Sequence, residues 1–168
     1  SATFGAVAVA LGYLIARRLH VCRPIAIATA LGLGLGQSFW ATALYAKTYT
    51  LHATLISLGV LILLRWEQER RVGDFYLAVA IFALSAGNHL TVIALLPALV
   101  LFGLMTDART ALRPKTIAIV VLLVALGLSQ YLLILIRTLQ NAPYVEAKAS
   151  NLSQLWAVMT ARRFAHEI

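Results

Sequence analysis

The feature that most constrains this chain is an uncharged run from Phe75 to Thr106, bounded on each side by an aspartate. As one helix, the run would be about 48 Å long at a rise of 1.5 Å per residue, whereas a bilayer core is roughly 30 Å thick. The polar triplet Gly87-Asn88-His89 interrupts it halfway. We therefore predict two short apolar helices that meet at a polar elbow. Amide and imidazole groups are costly in hydrocarbon, so the elbow should face protein or a water-filled cavity.

Composition excludes a soluble domain. Hydrophobic residues make up 61% of the 168 residues, charged residues make up 12%, and the mean hydropathy is +0.87. These values predict an all-α polytopic transmembrane bundle that contacts membrane lipid. The net charge of +8 does not indicate a nucleic-acid partner, because the basic residues cluster between apolar runs. The single cysteine, Cys22, excludes an internal disulfide and a cysteine-rich metal site.

Charged residues and turn signals divide the chain into about six membrane helices, including the short hairpin. The expected apolar segments are 1–16, 24–46, 48–64, 75–86, 90–105 and 116–136. Gly32 and Gly36 form a pair of small residues that favours close helix packing, and Pro97 is expected to kink its arm of the hairpin. Residues 1–140 should form the transmembrane domain, and residues 141–168 an external, amphipathic segment at the membrane surface. Since an apolar run already contains Ser1, we expect a piece of a longer protein.

The distribution of positive charge favours the hairpin over a single span. With a hairpin, loops 17–23, 65–74 and 107–115 lie on one side and hold every basic residue before Arg137 except Lys47. Basic residues are enriched in cytoplasmic loops. We therefore predict that these three loops are cytoplasmic and that the elbow lies on the external side.

The external side is predicted to gather side chains that donate hydrogen bonds: Lys47, Tyr49, His52, Asn88 and His89. Such a donor-rich, acid-poor set suits an anionic ligand, for instance the phosphate of a lipid carrier. Arg162 or Arg163 in the tail is a further candidate for a phosphate contact. Each residue also has a simpler interpretation: a lysine that reaches the headgroups, a tyrosine of the interface belt, a histidine that bonds a neighbouring helix, or an arginine of a surface helix.

Catalytic motifs are sparse. The sequence has no Ser-His-Asp order, no spacing typical of metal ligands and no phosphate-binding loop. Most of the acids fall in the predicted cytoplasmic loops, so Glu146 is a weak candidate for a general base. A carboxylate from outside this sequence is the alternative.

Four stretches together resemble a family of polytopic glycosyltransferases whose animal member is a protein O-mannosyltransferase. They are Gln37-Ser38-Phe39-Trp40, residues 46–51, residues 87–91 with Leu96-Pro97-Ala98, and Leu155-Trp156 with residues 160–164. The resemblance implies a GT-C fold that binds a polyprenyl-phosphate sugar, with mannose as the candidate sugar, from the external side. For a bacterial relative, it implies the inner membrane.

The resemblance also implies roles for individual residues. Tyr49 and the pair Asn88-His89 would line the lipid-phosphate or sugar cavity, with Arg162 near the phosphate. The acidic base would lie in a first external loop, which should precede Ser1, so this chain is not expected to turn over by itself. Lys47 departs from the family pattern, in which a glutamate precedes the tyrosine.

Our leading hypothesis is therefore a fragment of a membrane glycosyltransferase that uses a lipid-phosphate sugar donor, with neither a cofactor nor a metal. The alternative is a structural or cofactor-holding subunit of a larger membrane complex, in which His52 and His89 ligate a haem or chlorophyll. Transport ranks last, because the sequence contains no internal repeat.

Overall fold

A computed structural model describes residues 1–44, 48–143 and 147–160. The described residues form helices and contain no strand. The helices are α1 (Ala2–Arg18), α2 (Arg23–Leu35), α3 (Gln37–Leu44), α4 (Tyr49–Glu69), α5 (Val72–Asn88), α6 (Leu96–Ala111), α7 (Pro114–Leu128), α8 (Leu132–Leu139) and α9 (Leu152–Met159). A 3-10 helix, Leu90–Leu95, precedes α6, and another, Ser129–Tyr131, joins α7 to α8.

Length and composition identify the membrane spans among the described residues. Three stretches are long and apolar enough to cross a bilayer: Tyr49–Glu69, Leu90–Ala111 and Pro114–Leu139. The bent pair α2–α3 makes a fourth if it counts as one span. These helices confirm the predicted all-α membrane bundle, with three or four candidate spans where about six membrane helices were predicted. α1 and α5, each of 17 residues, are shorter than these spans.

The core lies where α4 meets α5. Trp66 on α4 is 1% exposed and packs on Phe75 of α5, with ring centroids 4.8 Å apart. Farther along, Phe82 of α5 fits against Gly59 of α4, where a Cβ would lie 2.8 Å from the ring. α1 packs on α4, and α7 packs on α5. α4 and α5 therefore form the central pair of the bundle.

The predicted elbow is present. α5 ends at Asn88, and His89 has the extended angles φ −155° and ψ 119°. The chain then doubles back. This is shown by a hydrogen bond that the Arg70 guanidinium, before α5, donates to the Thr106 carbonyl near the end of α6. Pro97 does not kink the second arm as predicted. It lies in the first turn of α6, where backbone N–H groups have no partner within the helix. The missing N–H of proline therefore costs no helical hydrogen bond.

The second predicted span is not straight. α2 and α3 meet at an angle of 55° at Gly36, whose ψ of 129° ends the helical hydrogen-bond ladder. The expected Gly32–Gly36 packing pair is wrong, since a Cβ at Gly32 would meet nothing within 4 Å. Gly34 makes the close contact instead, and a Cβ there would lie 3.0 Å from Val9 of α1.

The three basic loops come together at one end of the bundle, which we call the basic end. Arg18 bonds Gln68 at 2.9 Å and Glu69 at 3.3 Å, so loop 17–23 meets loop 65–74. The Arg70–Thr106 bond adds the start of loop 107–115. A groove of about 350 Å³ opens here, lined by Leu14, Arg17, Arg18, Leu61, Ile62 and Arg65. This geometry agrees with the hairpin.

Candidate functional site

The polar elbow meets the start of α4 at the end of the bundle opposite the basic end. His52 lies in the first turn of α4, and Ser85 lies in the last turn of α5. His89 follows α5 directly, and Thr91 lies in the first turn of the 3-10 helix. The break in the helix is what brings these side chains together, because a continuous helix would carry His89 and Thr91 past α4.

A continuous series of hydrogen bonds joins the four side chains. Ser85 Oγ lies 2.9 Å from His52 Nδ1, and His52 Nε2 lies 3.1 Å from Thr91 Oγ1. Thr91 Oγ1 in turn lies 2.9 Å from His89 Nδ1. The backbone N–H of Thr91 also donates to His89 Nδ1 at 3.4 Å, so His89 caps the 3-10 helix. We call Ser85, His52, Thr91 and His89 the elbow cluster.

Two further contacts complete the surroundings of His89. Its ring centroid lies 5.5 Å from that of Tyr49 and 5.1 Å from that of His52. The Asn88 amide donates to the carbonyl of Thr48 at 3.4 Å, which ties the elbow to the start of α4. His89 thus contacts two rings of α4.

Burial increases toward the inner end of the elbow cluster. Ser85 is fully buried and His52 is 9% exposed, whereas Thr91 is exposed and His89 is partly exposed. In the described part of the chain, the two histidines bond only to serine and threonine hydroxyls and to one backbone N–H. Nearby Thr50 is also buried, and its hydroxyl has no hydrogen-bond partner among the described residues. The cluster is a hydrogen-bonded polar network that reaches the surface at one end.

The structure brings together four of the predicted site residues: Tyr49, His52, Asn88 and His89. Lys47, Arg162 and the candidate base Glu146 lie outside the described residues. The stretch from Ser85 to Thr91 is predicted from the sequence to be the floor of a site, but no individual role is predicted for Ser85 or Thr91, which flank the Asn88-His89 pair. A hydroxyl on each side of a histidine in an apolar run is the signal that points to them.

The cluster offers little to a metal or haem. Within residues 1–44, 48–143 and 147–160, no three histidine, cysteine or acidic side chains converge as a metal site would require. Both ring nitrogens of His52 are occupied by hydroxyl groups. Among the two histidines of the cluster, only His89 keeps a ring nitrogen for a ligand.

The fold and sequence relationship define an integral membrane protein related to glycosyltransferases. Residues 1–112 match the family described as the N-terminal domain of the protein O-mannosyl-transferase TMEM260, and the chain belongs to this family. The match includes α1 to α6 and the whole elbow cluster. No curated protein and no solved structure matches the chain. The predicted relationship to O-mannosyltransferases is thus confirmed.

Proposed function

We propose that this chain is part of a membrane glycosyltransferase of GT-C type that transfers a sugar, mannose in the first instance, from a polyprenyl-phosphate carrier to an external acceptor. The observation that carries the proposal is the convergence of Tyr49, His52, Asn88 and His89 at the end opposite the basic loops. Family membership supplies the reaction class. The bacterial inner membrane, with the basic end in the cytoplasm, is the proposed location.

The proposed reaction is displacement at the anomeric carbon. A carboxylate removes the proton of the acceptor hydroxyl, whose oxygen bonds to the anomeric carbon as the bond to the lipid phosphate breaks. Glu146 or a carboxylate outside this sequence supplies the base. Hydrogen-bond donors and cations stabilise the negative charge on the departing phosphate, and His89, Lys47 and Arg162 are the candidates.

Binding of farnesyl phosphate, a short carrier phosphate, to the detergent-purified chain tests the proposal. We expect saturable binding that weakens roughly tenfold in His89→Ala and in Lys47→Ala, since one charge-assisted hydrogen bond corresponds to about that factor. His20→Asn and Lys115→Ala, which change the same residue types in the loops of the basic end, should bind as the parent does.

The opposite result is equally informative. Parent protein that does not bind farnesyl phosphate, or binding that all four variants share unchanged, contradicts the proposed lipid-phosphate site. The alternative of a structural subunit in a larger membrane complex would then be preferred. An absorption band in the visible range would support its cofactor-holding form.

A further inference from the structure

The elbow cluster contains one hydrogen bond whose direction is fixed by covalent structure. A backbone N–H can only donate, so the bond from Thr91 N to His89 Nδ1 requires a lone pair on Nδ1. The proton of a neutral His89 ring must then be on Nε2. Since tautomers follow from the partners of each nitrogen, this single bond sets the remaining directions.

The other three bonds follow in order. Thr91 Oγ1, 2.9 Å from the same unprotonated His89 Nδ1, donates its proton there, so the O–H and the N–H of Thr91 share the one lone pair of this nitrogen. Its lone pairs then accept from His52 Nε2–H at 3.1 Å, and a neutral His52 carries no proton on Nδ1. The fully buried Ser85 hydroxyl therefore donates to His52 Nδ1 at 2.9 Å. All four groups point their donors toward the surface.

We propose that this directed chain from Ser85 through His52 and Thr91 fixes His89 as the Nε2–H tautomer and presents that one N–H to an anionic oxygen of the ligand. Ser85, His52 and Thr91 are positioning residues, and His89 is the residue that touches the ligand. The naming of a phosphate oxygen rests on the proposed function, whereas the tautomers do not.

The ring environment supports this assignment. The His89 ring contacts those of Tyr49 and His52, and its Nδ1 is occupied by Thr91, so the ring cannot turn its other edge outward without breaking two hydrogen bonds. Within the described residues, Nε2 of His89 has no hydrogen-bond partner. A donor held in place before the ligand arrives needs little reorganisation as charge develops on a leaving phosphate.

Nitrogen NMR of the full chain labelled with ¹⁵N-histidine tests the tautomers without any ligand. The four histidines are assigned with the variants His20→Asn, His52→Gln, His89→Gln and His166→Gln. We expect His52 and His89 to show protonated Nε2 and unprotonated Nδ1. His89 as the Nδ1–H tautomer would overturn the proposal.

Thr91→Val and Thr91→Ser separate two roles of Thr91. Its hydroxyl carries the bond direction from His52 to His89, which we call the relay, and its backbone N–H bonds His89 Nδ1, which we call the cap. Valine keeps the backbone N–H but removes the hydroxyl, so His52 loses its acceptor and should show both tautomers, whereas serine should restore the parent spectrum. An unchanged His52 in Thr91→Val would overturn the relay, and a well-folded serine variant keeps the test valid if valine disrupts folding.

Farnesyl phosphate and farnesol then distinguish the phosphate from other oxygens. Thr91→Val should weaken the binding of farnesyl phosphate severalfold and leave the binding of farnesol unchanged. His89→Gln should have the same effects. Equal weakening of both ligands contradicts a phosphate contact. If neither ligand binds the parent while the tautomers are as expected, the proposed function fails and the relay stands.

Discussion

At the scale of single residues, polar side chains of this protein cluster where a helix ends. Asn88 and His89 lie where α5 ends. The Asn88 amide donates to the Thr48 carbonyl at the start of α4, and His89 accepts from the backbone N–H of Thr91. The same residues in mid-helix would face lipid or need partners on another helix. The break therefore makes an otherwise costly pair of side chains compatible with a membrane protein.

Glycine has a steric role where α5 meets α7. A Cβ at Gly127 of α7 would overlap the carbonyl of Ala83 on α5. Gly127→Ala should therefore destabilise the bundle by about 1–3 kcal/mol, the usual range for overpacking. Thermal unfolding in detergent, followed by circular dichroism, measures the change.

Gly32→Ala is the matched control, because a Cβ at Gly32 of α2 meets nothing within 4 Å. Replacing a glycine inside a helix by alanine lowers the backbone entropy of the unfolded chain. The free energy of unfolding of this variant should therefore rise by up to about 1 kcal/mol. Equal effects of the two alanines would contradict the close α5–α7 approach.

At the scale of elements, an ion pair closes the turn between α4 and α5. Arg65 donates from Nε to Asp74 at 2.8 Å and makes a second bond from Nη2, while the Asp74 side chain is 7% exposed. Two hydrogen bonds in parallel fix the angle at which α5 leaves the turn. The core contact of Trp66 with Phe75 lies directly beside this pair.

Arg65→Gln should lower the midpoint of thermal unfolding by several degrees, because it leaves a buried carboxylate without its cation. Asp74→Asn in the same chain should recover part of the loss. Arg71→Gln is the control: Arg71 also pairs with a carboxylate, but its side chain is 70% exposed, and exposed pairs contribute little. A larger loss in Arg71→Gln than in Arg65→Gln would refute this role for the turn.

At the scale of the whole molecule, the hairpin puts the three basic loops at one end and the elbow cluster at the other. Cys22, the only cysteine of the chain, is exposed at the basic end and serves as a native probe of sidedness. A membrane-impermeant maleimide should label it in inside-out vesicles but not in intact spheroplasts.

Gln140→Cys in a Cys22→Ser background gives the reciprocal measurement, since Gln140 is exposed and follows the last span. This variant should be labelled in spheroplasts. Labelling of both cysteines from the same side would contradict the proposed topology. If each cysteine is labelled from the side opposite to the one expected, the protein has the reverse orientation in the membrane.

Much of the architecture follows from the sequence, because hydrocarbon imposes strict rules on polar groups. The elbow at Asn88-His89 and the hairpin could be predicted from the length of the uncharged run and the positions of the basic residues. The bend at Gly36 and the role of Pro97 could not. A glycine permits many conformations and a proline suits either a kink or a helix start, so neighbouring helices decide between them.

The candidate site divides in the same way. The sequence by itself determined that Tyr49, His52, Asn88 and His89 lie together at one end of the bundle, because apolar length and the positions of the charged residues set where the helices begin and end. Only the tertiary structure decided that Ser85 and Thr91 join the two histidines in one hydrogen-bonded series. Hydrogen bonds depend on distances of about 3 Å, and those distances are set by how α5 packs on α4 rather than by spacing along the chain.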